Sequence, residues 1–76
     1  MQDDYLIEMA NDVSSFFVAA RDPAAAATEV MGHIRRFWDP RMRRQIIECW
    51  RKGEAGFSDV ARAAVALLAA DQKPAG

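Results

Sequence analysis

The chain has 76 residues, 51% of them hydrophobic, and a formal net charge of −1. A chain of this length forms one small domain that buries only about 60% of the surface of its unfolded state, so a partner that covers apolar surface would stabilise it. Its single cysteine and single histidine cannot build a disulfide framework or a structural metal site, and the negative net charge disfavours a general nucleic-acid binder.

The sequence begins with no secretory leader and contains no apolar run long enough to span a membrane. A lone cysteine, Cys49, is typical of a reducing compartment. These features predict a cytoplasmic protein with no membrane contact. The expected fold is all-α, a small bundle of about four short helices over residues 5–70, with a frayed start at residues 1–4 and a flexible tail at residues 71–76.

The first predicted helix carries an apolar stripe at helical spacing. Its members are Leu6, Met9, Ala10, Val13, Phe16, Phe17 and Ala20. Ile7 and Val18 lie beside this stripe, and two interpretations stay open for them. They are incidental apolar residues at the surface, which are common, or they form a second contact face.

The dipeptide Asp22-Pro23 separates the first helix from the second, because Asp is a favoured N-cap and Pro a favoured first helical residue. The predicted inward stripe of the second helix holds Ala27, Val30, Met31, Ile34, Phe37 and Trp38. His33 follows Glu29 by four residues. This spacing favours a surface pair over a catalytic or metal-binding role for the histidine.

The dipeptide Asp39-Pro40 repeats the same device and predicts a third helix that ends near Lys52, before Gly53. Its apolar stripe holds Met42, Ile46, Cys49 and Trp50, and its exposed face holds Arg44, Glu48, Arg51 and Lys52. Phe57 and Ser58 are expected to staple and cap a fourth helix. That helix is marked by Val60, Ala64, Leu67 and Leu68, and is apolar almost all round.

Five arginines fall within ten residues around Asp39-Pro40. As plain surface they would repel one another, whereas acidic groups on a partner would give them orientation and register. Arg43 borders an apolar stripe, so its guanidinium either reaches water or meets an acceptor on another chain. The predicted partner-binding residues are Arg35, Arg36, Trp38, Arg41, Arg43, Arg44 and Ile47, with Trp38 as an aromatic anchor.

The run His33-Ile34-Arg35-Arg36-Phe37-Trp38-Asp39-Pro40-Arg41-Met42-Arg43 closely resembles a segment of one known family. With the stretch at residues 6–13 and Phe16-Phe17, it is similar to the delta subunit of the cytosolic, NAD-dependent, molybdenum-containing formate dehydrogenases. The resemblance extends from about Leu6 to about Leu67. It implies an all-helical, non-catalytic accessory subunit that binds the catalytic (alpha) subunit of a multi-subunit complex and supports assembly, stability or cofactor insertion.

The resemblance also implies that other subunits hold the cofactors, which are a bis-molybdopterin guanine dinucleotide molybdenum centre, iron–sulfur clusters and FMN. The sequence itself offers no Ser/His/Asp or Cys/His arrangement and no phosphate-binding glycine loop. We therefore predict that this chain has no catalytic, cofactor-binding or metal-binding residue of its own.

Other functions stay open from the residues alone. The arginines would also suit a free-standing helical adaptor or nucleic-acid-binding module, although the acidic first helix counts against nucleic acid. Ile7, Val18 and the fourth helix would suit self-association. An accessory subunit could remain in the mature complex or act only in assembly, and its arginines could contact cofactor phosphates during insertion.

Overall fold

In the computed structural model, which describes residues 2–19 and 22–71, the chain folds into four helices. They are α1 (Gln2–Val18), α2 (Pro23–Phe37), α3 (Pro40–Arg51) and α4 (Asp59–Asp71). All regular secondary structure of these described ranges is helical, which confirms the predicted all-α bundle. The Cα radius of gyration is 11.3 Å, and a single compact domain of this length is expected to have about 11 Å.

The first and last helices extend slightly into the segments that were predicted as start and tail. Helix α1 already includes residues 2–4, which were predicted as a frayed start, and α4 includes Asp71, the first residue of the predicted tail. Residues 72–76 of that tail lie outside the described residues. Ala20, predicted for the first apolar stripe, lies outside them as well.

Both Asp-Pro dipeptides begin helices as predicted. The Asp22 carboxylate accepts a hydrogen bond from the Ala25 amide at 2.9 Å, and the Asp39 carboxylate accepts one from the Met42 amide at 2.8 Å. Each carboxylate satisfies an amide that has no partner inside its own helix. The starts of α2 and α3 are therefore fixed by local sequence.

The connection between α3 and α4 depends on glycine and on one long-range side chain. Gly53 and Gly56 have φ angles of 73° and 107°, which are accessible to glycine without steric strain. The Asn11 side chain donates to the Gly56 carbonyl at 2.7 Å and accepts from the Ser58 amide at 2.9 Å. Ser58 in turn accepts from the Ala61 amide at 3.1 Å, so the predicted cap of the fourth helix is confirmed.

The core lies where α4 packs against each of the other three helices. This arrangement agrees with the sequence of α4, which is apolar on almost every side. The buried cluster consists of Leu6, Ile7, Ala10, Ala27, Val30, Ile34, Trp38, Ile46, Ile47, Cys49, Phe57, Ala61, Ala64, Val65 and Leu68. Most members of the four predicted stripes belong to it or pack against it.

Three apolar residues differ in burial from what the sequence predicts. Ile7 is only 4% exposed, so its interpretation as an incidental surface residue is wrong. A Cβ placed on Gly56 would lie 3.5 Å from Ile7 Cγ2, which shows that Ile7 packs beneath the α3–α4 connection. In contrast, Phe16 and Phe37 belong to the predicted apolar stripes and are 75% and 69% exposed.

Candidate interaction surface

The corner between α2 and α3 consists of Trp38 and Asp39 alone. Both residues have extended backbone conformations, with φ and ψ of −84° and 142° for Trp38 and −73° and 164° for Asp39. Two extended residues between two helices turn the chain sharply. The last turn of α2 and the first turn of α3 therefore lie close together, with arginines on both.

Arg43 reaches back across this corner from α3 to the carboxyl end of α2. Its Nη1 donates to the carbonyl oxygen of Arg35 at 2.8 Å and to that of Trp38 at 3.0 Å. The last carbonyl groups of a helix lack intrahelical donors and carry a partial negative charge, so a guanidinium is well suited to them. Neither of the two alternatives given from the sequence, water or an acceptor on another chain, describes Nη1, because both of its acceptors belong to the chain itself.

Arg35 also has a partner within the chain. Its Nη1 lies 3.0 Å from Oδ2 of Asp71 in an ion pair that joins the end of α2 to the end of α4. Glu48 pairs with Arg51 at 3.1 Å on the face of α3 that was predicted to be exposed. Exposed pairs of this kind stabilise a fold by only about 0–1 kcal/mol.

Arg36, Arg41 and Arg44 are exposed. Within residues 2–19 and 22–71, the structure gives none of these three side chains a hydrogen bond or an ion pair. Arg41 also lies in the first turn of α3, which contains no acidic residue. A positive charge there is opposed by the helix dipole. These three arginines, which we call the free arginines, therefore contribute nothing visible to the stability of the fold.

Trp38 and Ile47 were predicted to bind a partner, yet each is only 5% exposed and belongs to the core. Trp38 lies where the chain leaves α2, and Ile47 directly follows the buried Ile46 in α3. Neither side chain presents a surface to a partner. Both belong to the core that lies beneath the corner.

A row of rings forms a second exposed feature at the ends of α1 and α2. Phe16 meets Phe17 edge to face at a centroid distance of 5.4 Å, Phe17 meets His33 at 6.2 Å, and His33 meets Phe37 at 4.9 Å. Phe17, His33 and Phe37 line an open groove of about 340 Å³ together with Gly32 and Arg36. We call it the aromatic groove.

The family model of the NADH-dependent formate dehydrogenase delta subunit, FdsD, matches residues 5–65 of the chain. The chain belongs to this family. No curated protein and no solved structure matches it. The matched residues include all of α2 and α3 and the corner between them, so the resemblance inferred from the arginine-rich run is confirmed.

The ligand-forming residues of this member of the delta-subunit family are few. Among residues 2–19 and 22–71, no three His, Cys, Asp or Glu side chains are grouped so that they could hold a metal ion. An iron–sulfur cluster is normally held by four cysteine thiolates, and the chain has one cysteine, which is buried. Its residues therefore do not fit such a cluster.

No described helix is long and apolar enough to cross a membrane.

Sequence reasoning missed the aromatic groove, although the sequence contained a signal for it. Phe16 and Phe17 are adjacent in a helix, where consecutive side chains point about 100° apart, so both cannot face one narrow core. His33 and Phe37 are one turn apart and lie on the same face of α2. These two pairs together indicate an aromatic surface that the inward stripes do not explain.

Proposed function

We propose that this chain is a non-catalytic accessory subunit that binds the catalytic (alpha) subunit of an NAD-dependent formate dehydrogenase. Membership of the delta-subunit family supports a place in a formate dehydrogenase complex. The free arginines Arg36, Arg41 and Arg44 support direct docking, with carboxylates or polar backbone groups of the partner as their acceptors. Through this contact the subunit supports assembly, stability or cofactor insertion.

The observation that carries this proposal is that two of the five arginines at the corner have partners within the chain and three do not. Arg35 and Arg43 are used within the chain, by Asp71 and by two carbonyl groups. The other three are exposed on the two sides of the corner. Guanidinium groups can form paired hydrogen bonds with carboxylates, which set the orientation of a partner more than the raw affinity.

In this proposal the other subunits hold the molybdenum centre, the iron–sulfur clusters and the FMN, and they carry out formate oxidation and NAD reduction. The delta subunit contributes a surface. Its residues do not fit a cluster of their own, as the single buried cysteine indicates.

The test is co-expression of this chain with the tagged catalytic subunit, comparing wild type with the double variant Arg41→Glu, Arg44→Glu. Glutamate at residue 41, in the first turn of α3, is favoured by the helix dipole. This offsets the small cost of a glutamate at residue 44, four residues before Glu48, so the variant should fold as well as wild type by circular dichroism. We expect its recovery with the catalytic subunit to fall at least about tenfold, because repulsion replaces charge pairing.

The matched control reverses two exposed positive charges away from the corner, Lys52→Glu and Arg62→Glu, and should be recovered as wild type is. Equal recovery of the corner variant and the control would contradict docking through the free arginines. Steeply salt-dependent binding of DNA or RNA by wild type, with no recovery of the catalytic subunit, would instead support the nucleic-acid-binding alternative.

Cofactor insertion has a separate measurement. In Arg36→Gln, a complex that assembles in full yield with less molybdenum per catalytic subunit would show that this guanidinium acts on cofactor loading. A normal molybdenum content with reduced complex yield would assign it to docking alone.

A further inference from the structure

The aromatic groove is an apolar surface that the free chain leaves uncovered. Phe37, which lines it together with Phe17 and His33, is 69% exposed. Phe16, which meets Phe17 edge to face, is 75% exposed beside the groove. A protein of this size loses stability when large rings face water, because about 25 cal/mol is forgone for each Å² of apolar surface left exposed. Rings held in one row at a concave site are typical of a place where another apolar group packs.

Gly32 gives the groove its depth. It lies in the middle of α2, where glycine destabilises a helix relative to alanine. A Cβ at this position would meet nothing within 4 Å, so no neighbour in the described chain requires the missing side chain. The space that Gly32 leaves open belongs to the groove. A glycine that weakens its helix and relieves no internal clash indicates an occupant from outside.

The charges at the groove indicate the chemistry of that occupant. Arg36 lines the groove next to Phe37, is exposed, and has no acceptor within the described residues. Glu29 also lines the groove, but it already takes part in an interaction within the chain. The charge available to an incoming group is therefore positive, and it is continuous with the free arginines of the corner.

We propose that the aromatic groove receives a segment of the catalytic subunit that inserts one aromatic or branched aliphatic side chain between Phe17 and Phe37 and sets a neighbouring carboxylate against Arg36. The inference rests on the proposed function and specifies its contact. A groove of about 340 Å³ is at the low end of the range for small-molecule pockets. It suits one or two side chains.

The first test fills the groove without harming the fold. Gly32→Leu replaces a weak helix former by a strong one and adds a side chain where the structure has room. The variant should melt at the same temperature as wild type or a few degrees higher. Its affinity for the catalytic subunit should fall about tenfold or more, because the added side chain occupies the place of the anchor.

The matched control is Ala63→Leu, which adds similar bulk at an exposed position of α4 and should bind as wild type does. A second pair removes an exposed ring in each case: Phe37→Ser at the groove and Tyr5→Ser at the other end of α1, where Tyr5 is 62% exposed. Only Phe37→Ser should lose binding. If wild type, Gly32→Leu and Phe37→Ser all bind equally, the groove is not the contact, while the proposed function stands.

The occupant is identified by a photo-reactive phenylalanine analogue placed at Phe37 in the full complex. A cross-linked peptide of the catalytic subunit that holds an apolar residue beside Asp or Glu would support the proposal. A cross-link to a second copy of this chain, or to a basic or uncharged segment, would overturn it. If wild type itself does not associate with the catalytic subunit, the proposed function fails first, and the groove assignment fails with it.

Discussion

The α2–α3 corner and the α3–α4 connection are each bridged by one side chain, that of Arg43 from the adjoining helix α3 and that of Asn11 from α1. Arg43 donates to two carbonyl groups at the corner, and Asn11 bonds both sides of the Gly56–Ser58 turn. The two regions differ in what they leave outside. At the connection the polar groups turn inward to the chain's own backbone, whereas the corner presents three exposed arginines that its own structure does not use.

This difference separates residues that the fold itself uses from residues that it leaves available to the proposed partner. At the α3–α4 connection, Asn11, Ser58 and the two glycines have partners or conformations that explain them fully. At the corner, Arg43 is explained in this way and Arg44, the next residue, is not. A substitution at Arg43 should therefore lower the stability of the fold, whereas a substitution at Arg44 should weaken association with the partner.

The largest expected effect is that of Arg43→Ala. The change removes a charged donor from two carbonyl oxygens at the end of α2, and we expect the free energy of unfolding to fall by about 2–3 kcal/mol. The Nε of Arg43 is buried and has no acceptor among the described residues. Its removal therefore relieves a desolvation cost, which limits the loss of stability to this range. Urea denaturation followed by tryptophan fluorescence measures it. Arg44→Ala is the control and should stay within about 0.5 kcal/mol of wild type.

Equal unfolding free energies for Arg43→Ala and Arg44→Ala would show that the corner does not depend on the guanidinium bridge. In binding experiments the order should reverse. Arg44→Ala should weaken recovery with the catalytic subunit although it leaves the fold intact.

A smaller effect is expected for Asn11→Ala at the other connection. It removes two hydrogen bonds, but the groups they serve are exposed and can bond to water, so the loss should be about 1–1.5 kcal/mol. Amide hydrogen exchange provides a sharper measurement than denaturation. The Ser58 amide should lose protection in the variant, while amides of α2 should keep theirs.

The smallest effect is expected for Arg35→Ala, which breaks the ion pair with Asp71. The two side chains are 55% and 37% exposed, so the loss should be about 0.5 kcal/mol or less and should vanish in 1 M salt. Asp71→Asn should reproduce it. A loss as large as that of Arg43→Ala would contradict the small contribution expected of an exposed ion pair.

The helices and their first turns could be predicted because the signals are local. Asp22 and Asp39 each bond an amide three residues ahead, and such contacts are readable from spacing. The inward stripes were predicted less well. A helical wheel gives the direction of Ile7 or Phe37 around its own axis, but it does not show how far a neighbouring helix extends over that position.

The site was harder to predict for the same reason. Arg43 was correctly placed at the border of an apolar stripe, but its acceptors lie eight and five residues back along the chain and come within reach only because the corner is sharp. Tryptophan and isoleucine occur both in protein interfaces and in cores. The residue types of Trp38 and Ile47 therefore could not show which of the two locations applies. The row of rings is formed by four residues from two helices. Its formation depends on how these helices pack, which the sequence pattern of either helix does not show.

Cys49 is 1% exposed on the inner side of α3, where the helices meet. A thiol reacts with an alkylating reagent only when the reagent can reach it, so this one is protected while the bundle is closed. The alkylation rate therefore measures how often the bundle opens. A partner that binds only the closed form lowers the frequency of opening in proportion to its occupancy. The alkylation rate of Cys49 would therefore report binding of a partner without any added label.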